Sequence, residues 1–245
     1  MDNQQRKFDL NVSTAYLVGV YLTDGSIYKN QFYLESIDKD FCETVLSVLE
    51  NILENFNKNI RYIEPRKKSD GYKYAATYRI KISSVELCQW LMKITNHKQT
   101  IPNEILNSDK EILLAFLSGL MDGDGGISKS LIRSNGTAMY QITLCGFETL
   151  YGAVKDYAKV FDKLGIQYSK REQSQKKIGF ISYVLKNFSF VDAGGYFNII
   201  RKQKRLNDMI TMFKDLPTCS KNKILNGIRS TTKMTTPILS DDDIV

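Results

Sequence analysis

The sequence is poor in the residues that build many small catalytic and cross-linked sites. Its 245 residues include one histidine, His97, and four cysteines, Cys42, Cys88, Cys145 and Cys219. The cysteines lie far apart and form no Cys-x-x-Cys pair, so neither a zinc ribbon nor a disulfide framework is expected, and a reducing compartment fits. A lone histidine in a polar turn leaves no basis for a His-rich metal centre. No apolar run approaches the roughly 20 residues of a membrane span. The opening MDNQQRKFDLN has no apolar stretch after its charges, so it does not read as a secretion signal. The expected setting is intracellular, in the cytoplasm or in an organelle whose genome encodes the chain.

What is present suits a folded protein. Hydrophobic residues make up 42% and charged residues 25%, enough for a core and too apolar for global disorder. The length fits one large domain or two of roughly 100–150 residues. Thirty-four Lys and Arg against 27 Asp and Glu give a net charge of +7. Such a balance points to acidic partners, nucleic acid first among them.

The main signal is an internal repeat. STAYLVGVYLTDGSI, from Ser13, and LLAFLSGLMDGDGGI, from Leu113, align at an offset of one hundred residues. Ala15 meets Ala115, Gly19 meets Gly119, Thr23 meets Gly123, and Asp24-Gly25 meets Asp124-Gly125. Each segment reads as an apolar helix stopped at Asp-Gly and followed by a strand. Ala15, Gly19 and Thr23 are four apart and share one helical face, as do Ala115, Gly119 and Gly123. Glycine inside a helix costs about 1 kcal/mol against alanine, a cost offset where another backbone must come close. The two small faces are therefore expected to pack together about a pseudo-twofold axis.

That packing has a chemical consequence. If the helices run parallel, Asp24 and Asp124 arrive together at their C-terminal ends. Two anions at partly negative helix ends repel each other, and a hard divalent cation with oxygen ligands relieves the conflict. Paired carboxylates holding Mg²⁺ are a recurring solution to phosphodiester hydrolysis.

The remaining segments repeat in order. SIYKNQFYLESI, NIRYIEP and YAATYRIKIS read as strands of the first half. DKDFCETVLSVLENILENF reads as an amphipathic helix with Phe41, Val45, Val48, Leu49, Ile52 and Leu53 on its apolar side, and SVELCQWLMKIT as a second helix. In the second half, a hairpin is expected around Asn135-Gly136. A helix closed by Gly165 follows, then the strands IQYSKRE and IGFISYVLKNF, then a short helix in SFVDAGGYFNII. The expected fold class is α+β with two antiparallel sheets. NHKQTIPNEILNSDK reads as a linker, giving repeats over 1–96 and 111–215, a linker over 97–110, and a partly flexible, acidic extension over 216–245.

Basic and amide side chains fall on one strand face. Arg79 and Lys81 alternate with Tyr78, Ile80 and Ile82, and Lys186 is expected to play the part of Lys81. Lys29 and Gln31 share a face, as do Gln141 and Thr143. Such a β-ribbon can read base edges in a major groove. Arg66, Lys67 and Lys68, with Lys170 and Arg171, are placed in matching inter-strand loops suited to phosphates. Lys202 adds a further DNA contact.

Leu17–Gly25 and Leu117–Gly125 resemble the nonapeptide of the LAGLIDADG homing endonucleases in their two-motif, single-chain form. The likeness covers roughly residues 12–215. It implies two αββαββα halves with saddle-shaped sheets, joined through the motif helices and gripping a long double-stranded DNA site as a monomer. It implies Asp24 and Asp124 as metal-binding acids, with the carbonyls of Thr23 and Gly123 as further ligands. It also implies a supporting lysine per half: Lys98 in the first, and Lys202 or Lys204 in the second, with Lys204 taken for the catalytic role. The implied activity is a Mg²⁺-dependent double-strand break with short 3′ overhangs. Mn²⁺ is expected to substitute and Ca²⁺ to support binding without cleavage. The sixth motif position is Asp122 in one repeat and Leu22 in the other, so the halves have diverged. No intein splicing residues are evident, which suggests a freestanding or intron-encoded enzyme. The alternative is a maturase acting on intron RNA, or a relative that binds DNA without cutting it.

Overall fold

The computed structural model describes residues 8–67, 71, 73–132, 137–148, 152–175 and 178–214. Lys68, the Asn135-Gly136 turn and the 216–245 extension lie outside the described residues. The first half runs α1 (Val12–Leu22), β1 (Ser26–Tyr28), β2 (Gln31–Ser36), α2 (Lys39–Glu50), β3 (Arg61–Ile63), β4 (Arg66–Lys67), β5 (Lys73–Tyr74), β6 (Thr77–Ser83) and α3 (Val85–Ile94). A short α4 (Asn103–Leu106) leads into the second half. That half comprises α5 (Lys110–Gly123), β7 (Gly125–Ile132), β8 (Thr137–Phe147), α6 (Tyr157–Leu164), β9 (Tyr168–Gln175), β10 (Ile178–Leu185), α7 (Asn187–Asp192) and α8 (Ile200–Lys214). A 3₁₀ turn, Gly152–Asp156, precedes α6.

The fold is α+β with two antiparallel four-stranded sheets of matching order, β1-β2-β6-β3 and β7-β8-β10-β9. One face of each sheet is apolar and buried. Phe32, Leu34, Ile80 and Ile82 form it in the first sheet, and Ile142, Leu144, Ile181, Tyr183 and Leu185 in the second. The alternate residues point away from that core, as the two-residue strand period requires.

Between the sheets stand α1 and α5. Helix α1 starts at a capping box, in which the Asn11 side chain accepts from Thr14 N–H and Thr14 Oγ1 accepts from Asn11 N–H. From Thr14 to Leu22 every residue is buried, the pattern of a helix enclosed on all sides. The two helices meet backbone to backbone. A Cβ added at Gly19 would lie 2.4 Å from Phe116 O, and one at Gly119 would lie 2.2 Å from Tyr16 O. One at Gly123 would strike the Thr23 side chain at 2.0 Å. These contacts advance in the same chain direction on both helices, so α1 and α5 run parallel and share a pseudo-twofold relation, as the small-residue faces predict.

Other details differ from the sequence reading. Helix α2 ends at Glu50, before Ile52 and Leu53, because the turn at Asn51–Leu53 bends the chain back with N–H groups bonded to Val48 and Leu49 carbonyls. The loop after β3 forms a small ribbon, β4 with β5, in which Arg66 faces Tyr74 and Lys67 faces Lys73. Lys170 and Arg171 lie inside β9, opposite Tyr183 and Ser182, and not in a loop.

Candidate active site and nucleic-acid interface

The parallel helices end side by side, and their ends set the site. Thr23 caps α1 and Asp124 caps α5. Past each cap the chain turns sharply into a strand. Gly125 is needed there, since its Cβ would fall 2.5 Å from Met121 Cα. The turns deliver Asp24 and Asp124 to one place. Burial and the charge of Asp24 push the Asp124 carboxyl up to about 7, against the pull of Lys98 and Lys202. Asp24 is raised as well, chiefly by its crowded surroundings, although its side chain reaches solvent. A carboxylate whose ionisation is opposed by burial and by the neighbouring Asp24 forms, with that neighbour, a donor set that a hard divalent cation fits.

Each helix end is also closed by a buried lysine. Lys98 Nζ donates to Thr23 O at 3.0 Å and Gly25 O at 2.6 Å. Lys202 Nζ donates to the carbonyls of Met121, Asp122, Gly123 and Gly125 at 2.6–3.1 Å. An ammonium on the last carbonyls of a helix offsets their partial negative charge. Burial lowers both lysines, Lys98 to about 8. Lys202 therefore occupies the counterpart of the Lys98 position. Lys204, two residues on, is exposed on α8, because α8 turns it away from the helix ends. Lys202 is only 5% exposed, so it belongs to this centre and not to an open DNA-facing surface. The Thr23 and Gly123 carbonyls, expected as metal ligands, each accept a lysine proton.

Neighbouring segments hold the lysines in place. Lys98 ends a run of three left-handed residues, Asn96, His97 and Lys98, at φ 45°, 54° and 68°. Non-glycine residues rarely adopt this region, and a run of three carries a real conformational cost. It wraps the end of α3, with His97 N–H bonded to Met92 O, and swings Lys98 inward. The carbonyl of Lys98 accepts from Ala153 N–H in the other half. Reciprocally, the start of α8 is tied to the first half. Arg201 pairs with Asp38 through Nε at 2.6 Å and Nη2 at 2.7 Å, and Ile200 N–H donates to Asp40.

Asp122 is fully buried. Its carboxylate accepts from Tyr16 Oη, Asn198 N–H, Asn198 Nδ2 and Ile199 N–H. It fastens the chain entering α8 to both motif helices. The first half has Leu22 there, and the Lys98 segment is held by the Ala153 bond. The sequence exposed the Asp122/Leu22 difference but could not show its partner Asn198, 76 residues away.

The outward sheet faces carry several predicted residues. Gln31, Arg79 and Lys81 lie on the first, and Gln141, Thr143 and Arg171 on the second. Lys29 sits in the β1–β2 turn at φ 48° and shares no strand face with Gln31. Lys186 follows β10 as the N-cap of α7, and Val184 takes the register position of Lys81. Lys170 faces the opposite side and pairs with Glu172 at 2.5 Å. Arg66 lies over the Tyr74 ring at 5.3 Å, next to exposed Lys67. Glu35, not singled out from the sequence, binds both Arg79 and Thr77. A carboxylate two residues beyond Tyr33 on the same strand was its only signal.

Comparison with known proteins agrees with this geometry. Residues 11–95 match the model of the LAGLIDADG-like domain. The chain is 28% identical over 171 residues to the uncharacterised protein MJ0314 of Methanocaldococcus jannaschii, covering 67% of this chain and 59% of that one. It is 24% identical over 131 residues to the ATP-dependent DNA helicase Hel308 of Thermococcus kodakarensis, covering 51% of this chain and 11% of the helicase. The chain thus spans less than two thirds of the length of either relative. Among solved structures, the homing endonuclease I-WcaI bound to its DNA recognition sequence shares the fold. Its TM-score is 0.54 at 16% identity, over 84% of this chain and 94% of that one.

Proposed function

For this chain, which carries a LAGLIDADG-like domain and the fold of the LAGLIDADG homing endonucleases, we propose the activity of a site-specific DNA endonuclease. It works as a monomer built of repeats over 1–96 and 111–215 joined by 97–110, and breaks both strands of double-stranded DNA. The observation that carries this reading is the pair Asp24 and Asp124 at adjoining helix ends, each raised in pKa and flanked by a buried lysine.

The chain's residues divide the work. The outward sheet faces and the Arg66–Lys67 ribbon bind DNA through base edges and phosphates. Asp24 and Asp124 would hold a divalent cation, Mg²⁺ by preference. Such a cation supplies charge stabilisation at the phosphate and a bound water of lowered pKa. Among the described residues no three or more His, Cys, Asp and Glu gather into a metal cluster. Lys98 and Lys202 place fixed positive charge where negative charge develops. No protein nucleophile is required.

The test is a supercoiled plasmid carrying the chain's selected duplex site, incubated with Mg²⁺ or with EDTA. Asp24→Asn and Asp124→Asn are each expected to reduce linear product about 10²- to 10³-fold while duplex binding persists. Linear product from both variants at the parental rate overturns the assignment. Tight binding by the parent with no linear product under Mg²⁺ or Mn²⁺ moves the chain to a DNA-binding or RNA-splicing role.

A further inference from the structure

The two outward sheet faces can be superposed residue by residue from their registers. Ser26 and Gly126 stand two residues after the paired aspartates, and they pair with Tyr33 and Thr143. Those residues face Lys81 and Val184 on the next strand. One step outward, Glu35 corresponds to Cys145, and Arg79 to Ser182. On the third strand, Arg61 corresponds to Arg171.

The chemistry at these matched places diverges. The first face presents Tyr33 beside Lys81, then Glu35 bonded to Arg79 with Arg61 alongside. The second presents Thr143 beside Val184, then Cys145 with its Sγ 3.3 Å from Ser182 Oγ. Four central places that hold three formal charges in one half hold none in the other. Gly126 adds space, because a Cβ there would meet only Thr143 Oγ1 at 3.8 Å.

Resting on the DNA-endonuclease reading, we infer that the two half-sites differ in base class. The first sheet reads G·C pairs at its centre, and the second reads thymine at the matching positions. Arg79 gives Nε and Nη2 to Glu35, which leaves its Nη1 end to donate to guanine O6 and N7, and the neighbouring carboxylate can accept from cytosine N4. The Thr143 and Val184 methyl groups cannot make those bonds. Thr143 and Val184 are cross-strand partners, and the open space at Gly126 lies beside the Thr143 hydroxyl, so the pair offers a small, uncharged, methyl-bearing step that fits the C5-methyl of thymine. Arg171 at the sheet edge supplies phosphate contact without sequence information.

The experiment is selection of a randomised duplex library by the full chain in Ca²⁺, followed by affinity measurements on the selected duplex. One half-site is expected to be enriched in T·A at matched central positions and the other in G·C. Replacing those thymines by deoxyuridine removes only the methyl groups and should weaken binding about fourfold per buried methyl. The same replacement elsewhere should leave binding unchanged. The double variant Thr143→Tyr, Val184→Lys should erase the thymine preference and leave the G·C half-site as before. Alkylation of Cys145 in a Cys219→Ser background should be slowed by the selected duplex, which reports that this face is covered even if a variant folds poorly. Failure to enrich any duplex overturns the DNA reading itself. An enriched duplex without the thymine bias, or one indifferent to deoxyuridine, overturns only the half-site assignment.

Discussion

At the residue scale, burial and the charge of Asp24 together oppose the ionisation of Asp124. The Asp124 carboxyl, raised to about 7, keeps its proton in the folded chain at pH values where the unfolded chain has lost it. Its stabilising contribution is complete below the unfolded value of about 4 and is lost as pH rises through about 7. The metal-free protein should therefore lose melting temperature across that window, and Asp124→Asn should flatten the slope. Mg²⁺ competes with the proton, so it should raise the melting temperature more at pH 8 than at pH 5.5. Calorimetry with and without Mg²⁺ checks both, and equal Mg²⁺ shifts at the two pH values would remove the carboxylate pair from metal binding.

At the scale of elements, the motif helices depend on absent side chains. Gly119 has Tyr16 O, Val20 N and Gly19 Cα within 3.1 Å of where its Cβ would stand. Those atoms are backbone and cannot rotate away. Gly119→Leu is expected to cost about 3 kcal/mol or more, at the upper end for overpacking, while exposed Gln89→Ala stays within about 0.5 kcal/mol. Urea unfolding of the two variants separates them. These glycines were legible in the sequence because their spacing conflicts with helix propensity and only close approach resolves it. The left-handed turn at Asn96–Lys98 was not legible, since no glycine marks it. Its geometry follows from Lys98 having to reach two carbonyls over seventy residues away in sequence.

For the whole molecule, each half holds the lysine segment of the other. Ala153 bonds the Lys98 carbonyl, and Asp38 with Asp40 anchors the residues just before Lys202. The Arg201 side chain is 45% exposed, so Arg201→Ala should cost under about 1 kcal/mol of stability. Its larger effect should be on one strand's cleavage, because Lys202 is its neighbour. Nicked plasmid should then accumulate ahead of linear product, and the exchange Asp38→Arg with Arg201→Asp should restore the balance. Nicking no faster than in the parent would show that the pair does not position Lys202.

The sequence by itself determined the paired, parallel motif helices, the two aspartates at their ends and the antiparallel α+β halves. Periodicity and the one-hundred-residue offset are local properties that survive without coordinates. Only the tertiary structure put Lys202 at the helix ends and Lys204 on the exposed side of α8, placed Val184 where Lys186 was expected, and joined Glu35 to Arg79. Those outcomes depend on strand register and on the rotation of α8, where a shift of one or two residues reverses the face a side chain presents. The single motif difference between Asp122 and Leu22 was visible from the start. Its meaning required Asn198, brought to it by folding alone.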